Sequence, residues 1–348
     1  LFNRANAEYS GSHVRLGSTR FGARSYLGND IYAVPGMALG ENVLIGNKTA
    51  VPVCGPVQSN TGLLGSPAFR IPRSVERDRQ FHIYEEDEAL RQGCLRAKLR
   101  HNLLTMGGFL LYHWLAAGMI LTILYAVAIA GGNWSPVALS ASGFAGLLAA
   151  IALRGVFDAI SLRFRPLQPK TCSIYDFGFW EVERHWKLMV FLELNLFSGT
   201  PLKPLLMRLL GVRVGRGVFD DGVVISEKTL TEIGDNVTLN RDNQLQAHSL
   251  EDGVFKSDRI VIGSGVTLAP HAFVHYGATV GEGAWIAPDS FVMKGETVDA
   301  GTWWQGNPAT ARLAPAPLQR VTAKPVAAPA LPPAPVAAAP AAAFATGG

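Results

Sequence analysis

Between Leu239 and Ile260 the chain leaves an otherwise regular pattern and runs from Asn240-Arg241-Asp242-Asn243-Gln244 through His248-Ser249-Leu250-Glu251-Asp252 to Lys256. Polar groups crowd this stretch where packing alone would favour Val and Gly. Such an excursion on a rigid scaffold is where function concentrates. His248 is the residue type that gains and loses a proton near neutral pH. Asn240, Glu251, Asp252 and Lys256 surround it with groups that could hold a substrate. His271 and His275, four apart, are the residue types of a metal pair, but they fall in successive repeats where a corner residue serves as well, so no metal site is expected. Cys54, Cys94 and Cys172 have neither metal nor redox spacing. No disulfide framework is expected, which suits a reducing compartment.

The elements that must position these residues are written in steps of six. Ile262, Leu268, Val274, Val280, Ile286, Val292 and Val298 are all aliphatic. The position before each holds a strand former (Val261, Thr267, Phe273, Thr279, Trp285, Phe291, Thr297), and the position after holds no Leu, Ile or Val. A helix period of about 3.6 or a strand period of about 2 cannot sort residues in this way. The pattern predicts an all-β fold, a parallel β-helix in which each hexapeptide forms one side of a triangular coil with its aliphatic pointing inward. Earlier rungs at Val214, Val218, Ile225, Ile233, Val237 and Leu239 are less regular. Leu27, Ala33, Leu39, Ile45, Val51 and Val57 repeat the design, and both blocks end alike, in Gly65-Ser66-Pro67-Ala68 and Gly306-Asn307-Pro308-Ala309. The chain therefore reads as two copies of one hexapeptide domain. The first, 1–73, is cut short at its start and lacks the catalytic stretch; the second, 212–312, is complete.

Charged residues make up 17% of the 348 positions, below the roughly 25% usual for soluble domains. Lys and Arg number 31 against 27 Asp and Glu, which leaves no dense basic face for nucleic acid. The deficit is concentrated: from His101 to Leu153 there is no Asp, Glu, Lys or Arg. Leu103 to Ala130 is almost wholly apolar, Gly131 to Pro136 reads as a turn, and Val137 to Leu153 is apolar again. About 20 apolar residues suffice to cross a bilayer. An α-helical transmembrane hairpin is expected over 101–160, between the two β-helices, after a linker or amphipathic segment at 74–100. Arg91, Arg96, Lys98 and Arg100 precede it and Arg154, Arg163, Arg165 and Lys170 follow it, whereas the turn has none. This bias puts both flanks in the cytoplasm of a multi-pass protein of the inner or plasma membrane. Residues 161–211 read as helices on the membrane surface or as ordinary amphipathic helices against the next domain, and the Ala/Pro-rich 313–348 reads as a disordered tail. The chain opens at Leu1 without Met or a signal-peptide pattern, as a piece of a longer protein would.

Asn240, His248 and Gly306 to Ala309 occupy the places of an early-rung Asn, a catalytic His before an off-coil excursion, and a Gly-Asn-Pro-Ala exit. In these the sequence resembles the hexapeptide acyltransferases of the maltose, galactoside and serine O-acetyltransferase type. A longer likeness rests on Leu64 to Arg73, Glu183-Arg184-His185-Trp186-Lys187-Leu188, Gly199-Thr200-Pro201, Arg208-Leu209-Leu210-Gly211, His248 to Asp252 and Val292-Met293-Lys294-Gly295-Glu296. In these, with the hairpin, the chain resembles the C-terminal region of ε-poly-lysine-synthetase-type (Pls/PosA family) nonribosomal peptide synthetases, whose tandem β-helices alternate with membrane hairpins. That family's adenylation and carrier domains are absent from this sequence and are expected as upstream partners.

The resemblance implies that the parallel β-helix is left-handed, and it implies amide-bond formation by direct transfer from a thioester. His248 would take the proton of an amino-acid or other small amine or hydroxyl acceptor. Glu251 or Asp252 would orient the imidazole or bind an ammonium, Asn240 would hold the acceptor, and Lys256 would join the substrate site. The donor, a phosphopantetheine thioester on a carrier domain or an acyl-CoA, would lie toward Trp303, Trp304 and Asn307. No cofactor bound covalently to this chain is implied. Two other readings compete: a CoA-dependent O- or N-acetyltransferase, and a non-catalytic scaffold that gathers copies with threefold symmetry.

Overall fold

Residues six apart stack because the chain turns a corner after each short strand and returns to the same side one rung later. The computed structural model of the chain describes residues 2–31, 34–51, 56–72, 83–130, 135–188 and 192–313. Ala33, Cys54, the turn residues 131–134, residues 74–82 of the linker and the tail from Ala314 lie outside them.

In the second copy, parallel strands form three sheets that face one another. One contains Val224–Ile225, Gln244–Gln246, Phe273–His275 and Phe291–Val292. A second contains Arg213–Val214, Thr231–Ile233, Ile260–Ile262, Thr279–Val280 and Thr297–Val298. The third contains Phe219–Asp220, Thr238–Leu239, Thr267–Leu268, Trp285–Ile286 and Trp303–Gln305, closed by the antiparallel Thr310–Arg312. Registers pair like with like: Ile233 lies opposite Ile262, Ile262 opposite Val280, and Val280 opposite Val298. The whole aliphatic series from Ile262 to Val298 is buried in one continuous core. This is a parallel β-helix, as the six-residue period predicts.

The first copy is the same object, displaced by a constant interval along the chain. Tyr26–Leu27, Leu44–Ile45, Gly62–Leu64 and Phe69–Ile71 correspond to Thr267–Leu268, Trp285–Ile286, Trp303–Gln305 and Thr310–Arg312. Left-handed backbone recurs at matching corners, Asp30 with His271 and Lys48 with Asp289. The match extends further back than the sequence suggests. The antiparallel hairpin of Phe2–Ser10 with His13–Phe21 pairs Ala7 with Leu16, just as His248 pairs with Ser257 in the second copy. The first copy is therefore not cut off before its excursion. It possesses the hairpin and carries Ala7 at the counterpart of His248.

Among the described residues, six helices lie between the copies: α1 (Ile83–Glu86), α2 (Glu88–Ala130), α3 (Pro136–Ser161), α4 (Phe177–Leu188), α5 (Leu192–Asn195) and α6 (Leu202–Leu209). The α2 helix begins inside the segment read as linker and continues unbroken to Ala130, within the charge-free stretch. Pro136 suits the first turn of α3, where no helical partner is lost by its missing N–H. Both helices are long and apolar enough to cross a membrane. They meet around Tyr112, Ala116 and Ala150, and the small Gly146 lies against Ile120. Phe179, Trp180 and Val182 of α4 bury against Phe255 of the excursion, and Leu206 of α6 packs with Ile151 of α3. The segment 161–211 thus packs one face against protein. Its exposed face includes Phe164, Leu196, Leu202, Leu205 and Leu209.

Ile286 is wholly buried in the stack of the third sheet. Replacing it with Ala is expected to cost about 2–5 kcal/mol, the range for emptying a large aliphatic site. Thermal unfolding of the detergent-solubilised chain checks this, with Thr279→Ala, at an outward position, nearly neutral.

Candidate functional site

The excursion is a hairpin. His248–Ser249 pairs antiparallel with Val254–Ser257, which pairs in turn with Lys170–Ser173. The tight turn needs left-handed backbone at Asp252 (φ 53°) and Gly253 (φ 74°). This three-stranded patch holds His248 beside the coil rather than on it.

The partner of His248 is Glu227, in the irregular rung that precedes it. His248 Nδ1 stands 2.7 Å from Glu227 Oε1. The same oxygen accepts from Trp186 Nε1 at 2.6 Å, and Oε2 accepts from Ser226 Oγ at 2.6 Å. Glu227 has no solvent exposure. Burial pushes its carboxyl up, but the attraction of His248 and the hydrogen bonds from Ser226 and Trp186 outweigh it and hold the group below the usual carboxylate range. Trp186 also stacks on the imidazole, with centroids 4.1 Å apart and planes at 26°. The side chain of His248 is 12% exposed. Neither ring nitrogen makes a hydrogen bond of full geometry among the described residues, so Nδ1 meets Glu227 as a close charge contact. A carboxylate 2.7 Å from Nδ1 favours the tautomer with its proton on that side, the tautomer in which Nε2 is the acceptor.

Glu251 does not orient the imidazole, contrary to the expectation above. Lys294 Nζ holds both its oxygens, at 2.7 and 2.9 Å. Sequence reading missed Glu227 because it lies a full coil turn upstream, and only the stacking of rungs brings it to the imidazole. A signal was present in the consecutive polar residues Ser226, Glu227 and Lys228, in a rung that departs from the period.

Glu251, Asp252 and Lys256 do share a site. They line a cavity of about 260 Å³ between the two copies, with Tyr26, Asn47 and Leu64 of the first copy and His275, Phe291 and Lys294 of the second. Leu64 packs with Phe273 and Phe291 as its apolar wall. The Tyr26 phenol is pushed up to about 12, by burial first and then by Glu251 and Asp252. His275 joins the cavity to the dyad: its ring lines the cavity while its Nε2 meets the carbonyl oxygen of His248 at 3.0 Å. The imidazole of His248 itself is not among the cavity's lining groups.

Three other expected site residues have structural roles. Asn240 Nδ2 donates to Leu268 O at 2.8 Å, tying one rung to the next. Trp304 faces inward and caps the aliphatic core, so it cannot line a donor groove. Asn307 Nδ2 donates to Lys48 O at 2.7 Å, and Lys48 Nζ pairs with Asp289 at 2.6 Å, so these residues fasten the copies together. Trp303 is on the outer surface, stacked on Trp285 with centroids 3.3 Å apart. His271 is exposed and does not meet His275 at a shared site; no group of three or more potential metal ligands occurs among the described residues.

No protein-family model matches the chain. It is 29% identical over 311 residues to a delta-poly-L-ornithine synthetase from Acinetobacter baumannii, an alignment covering 87% of this chain. The chain spans only 23% of that relative's length. Among solved structures, a maltose O-acetyltransferase from Clostridium difficile covers 41% of this chain and 91% of its own at 19% identity and a TM-score of 0.31. A soybean serine acetyltransferase covers 56% and 69% at 17% identity and 0.27. A hexapeptide-repeat acetyltransferase from Vibrio cholerae, in complex with acetyl coenzyme A, covers 47% and 86% at 17% identity and 0.29. The β-helix itself rests on the register of this chain's own strands.

His185 and His275 are both held down to about 4, chiefly by burial. The unfolded chain therefore binds more protons than the folded one between the ordinary histidine range and about pH 4, and stability falls as pH drops through that window. Thermal midpoints recorded from pH 7 to pH 4 should decline, and His275→Gln should make the decline shallower.

Proposed function

We propose that this chain is a membrane-anchored acyl-transfer module that forms amide bonds from carrier-bound aminoacyl thioesters. The observation that carries the reading is the buried Glu227–His248 pair beside a cavity that is apolar on one wall and charged on the other. An α-amine of ordinary pKa near 8, or a side-chain amine near 10, must lose a proton before it can attack. That first proton goes to solvent, and as the neutral amine nitrogen bonds to the thioester carbonyl carbon, Nε2 of His248 takes a second proton from it. The C–S bond then breaks, and the leaving thiolate recovers the proton from the imidazolium, which Glu227 stabilises while it exists.

The cavity holds the acceptor. Glu251 and Asp252 receive an ammonium, Leu64 and Phe291 cover an aliphatic stem, and the reacting amine is presented toward the His248 end of the hairpin. Similarity to a poly-ornithine synthetase favours a basic amino acid as the unit transferred. Upstream adenylation and carrier domains would activate it and deliver it on phosphopantetheine. The first copy, with Ala7 at the counterpart of His248, serves as a wall of the acceptor site rather than as a second catalyst. The face of the second copy bearing Thr267, Trp285 and Trp303 is the counterpart of the first-copy face that meets the second copy. A further β-helix seated there would extend the array toward threefold closure.

The hairpin anchors the module. Leu103, Leu110, Trp114, Leu121, Ile129, Val137 and Phe144 are all exposed on α2 and α3, a display that water does not tolerate and lipid does. Alkaline carbonate should leave the expressed chain in the membrane pellet, and release into the supernatant would remove the anchor from the proposal.

Catalysis is tested with the chain in lipid nanodiscs, ornithinyl-pantetheine as donor and ornithine as acceptor, following dipeptide by mass spectrometry. His248→Ala should slow transfer by about 10²–10⁴-fold, the usual worth of a positioned general base. Glu227→Gln should slow it by a smaller factor. Wild-type rates in both variants would exclude the dyad, and turnover of acetyl-CoA in place of the aminoacyl thioester would assign the site to the acetyltransferases.

A further inference from the structure

Behind the dyad lies a second buried cluster that the reaction above does not use. Lys228, the residue next to Glu227, reaches Asp158 of α3, with Nζ 2.7 Å from Oδ2. Arg154, one turn earlier on α3, brings Nε to 3.5 Å from Asp158 Oδ1 and lies over the Tyr112 ring at 5.0 Å. His185, the residue before Trp186, is buried in the field of Arg154, Asp158, Glu227 and Lys228, and neither of its ring nitrogens is hydrogen-bonded among the described residues. Two pairs of neighbours therefore straddle both clusters. Glu227 and Trp186 face His248, while Lys228 and His185 face α3.

The charges explain why the two clusters belong together. Arg154 and Lys228 are cations, Asp158 is one carboxylate, and His185 is held neutral by burial. Ionised Glu227 balances the remaining positive charge. Asp158 also gives Lys228 a partner of its own. Without it, the nearest carboxylate along the chain for a buried ammonium is Glu227, which is in contact with His248. We propose that Asp158 is a positioning residue for catalysis: by sequestering Lys228 it keeps Glu227 committed to His248, so that helix α3 of the apolar hairpin and the β-helix dyad operate as one unit.

This inference rests on the reading of His248 as the base, and the test separates the two. Asp158→Asn, Lys228→Met and the double variant are prepared as full chains in nanodiscs. Two readouts are taken at a temperature where each variant is folded: kcat and KM for transfer from ornithinyl-pantetheine, and the rate of carbethoxylation of His248 by diethyl pyrocarbonate, mapped by mass spectrometry, which needs no substrate. Asp158→Asn should lower kcat at least tenfold with KM within twofold, and should change the His248 modification rate at least threefold. The double variant removes one charge of each sign and should recover most of both values. A folded Asp158→Asn chain with wild-type kcat and His248 reactivity would overturn the proposal. So would a double variant that regains thermal stability while both readouts stay at the level of Asp158→Asn. If His248 reactivity follows the predicted pattern but no transfer occurs in the wild type, the positioning role stands and the reaction assigned to the base does not.

Discussion

A carboxylate with no access to water must be met by donors, and Glu227 imposes that requirement on everything around it. Leaving a buried charge unpaired costs several kcal/mol, so each neighbouring element has to supply a partner. The coil supplies Ser226, α4 supplies Trp186 and the excursion supplies His248. These three elements come from distant parts of the chain, and the demand of one carboxylate fixes their relative placement. The same arrangement prepares the imidazole, since the carboxylate favours the tautomer in which the opposite nitrogen is the acceptor. Structure and chemistry here share one cause.

The two copies show how a repeated scaffold divides labour. Backbone features coincide at every compared corner, yet side chains have diverged wherever a site could form. Ala7 stands for His248, Tyr26 for Thr267, Leu44 for Trp285 and Gly62 for Trp303. The first copy contributes a phenol and aliphatic groups to the shared cavity; the second contributes its carboxylates and lysines. Fastening by Asn307 and Lys48 sets the width of that cavity. The exit tetrapeptide thereby acquires a role at the joint between copies, in addition to closing its own coil.

The apolar hairpin carries buried charge at its base. Helix α3 is free of charge until Arg154 and Asp158, and both are buried against the rung that bears Glu227. Charges at that point serve protein contacts rather than solvation. An otherwise apolar helix is thereby tied to a β-helix it meets nowhere in sequence.

Much of this was legible in the residues themselves. A period of six can be satisfied only by a coil of three short sides, so the β-helix, its inward aliphatics and its duplication follow from the order of residue types. The charge-free stretch announces the paired apolar helices, and the break in period marks the excursion with His248. The rest depended on which rung stacks on which. Glu227 and His248 meet because coil turns bring distant positions into register, and nothing local in either segment states that pairing. Asn240 and Trp304 belong to the same lesson. A polar or aromatic residue in a rung can face a neighbouring rung or the core, and only the completed coil decides which. The cavity, too, exists only where two copies pack, so its Tyr26 and Asn47 could not be assigned from either repeat alone.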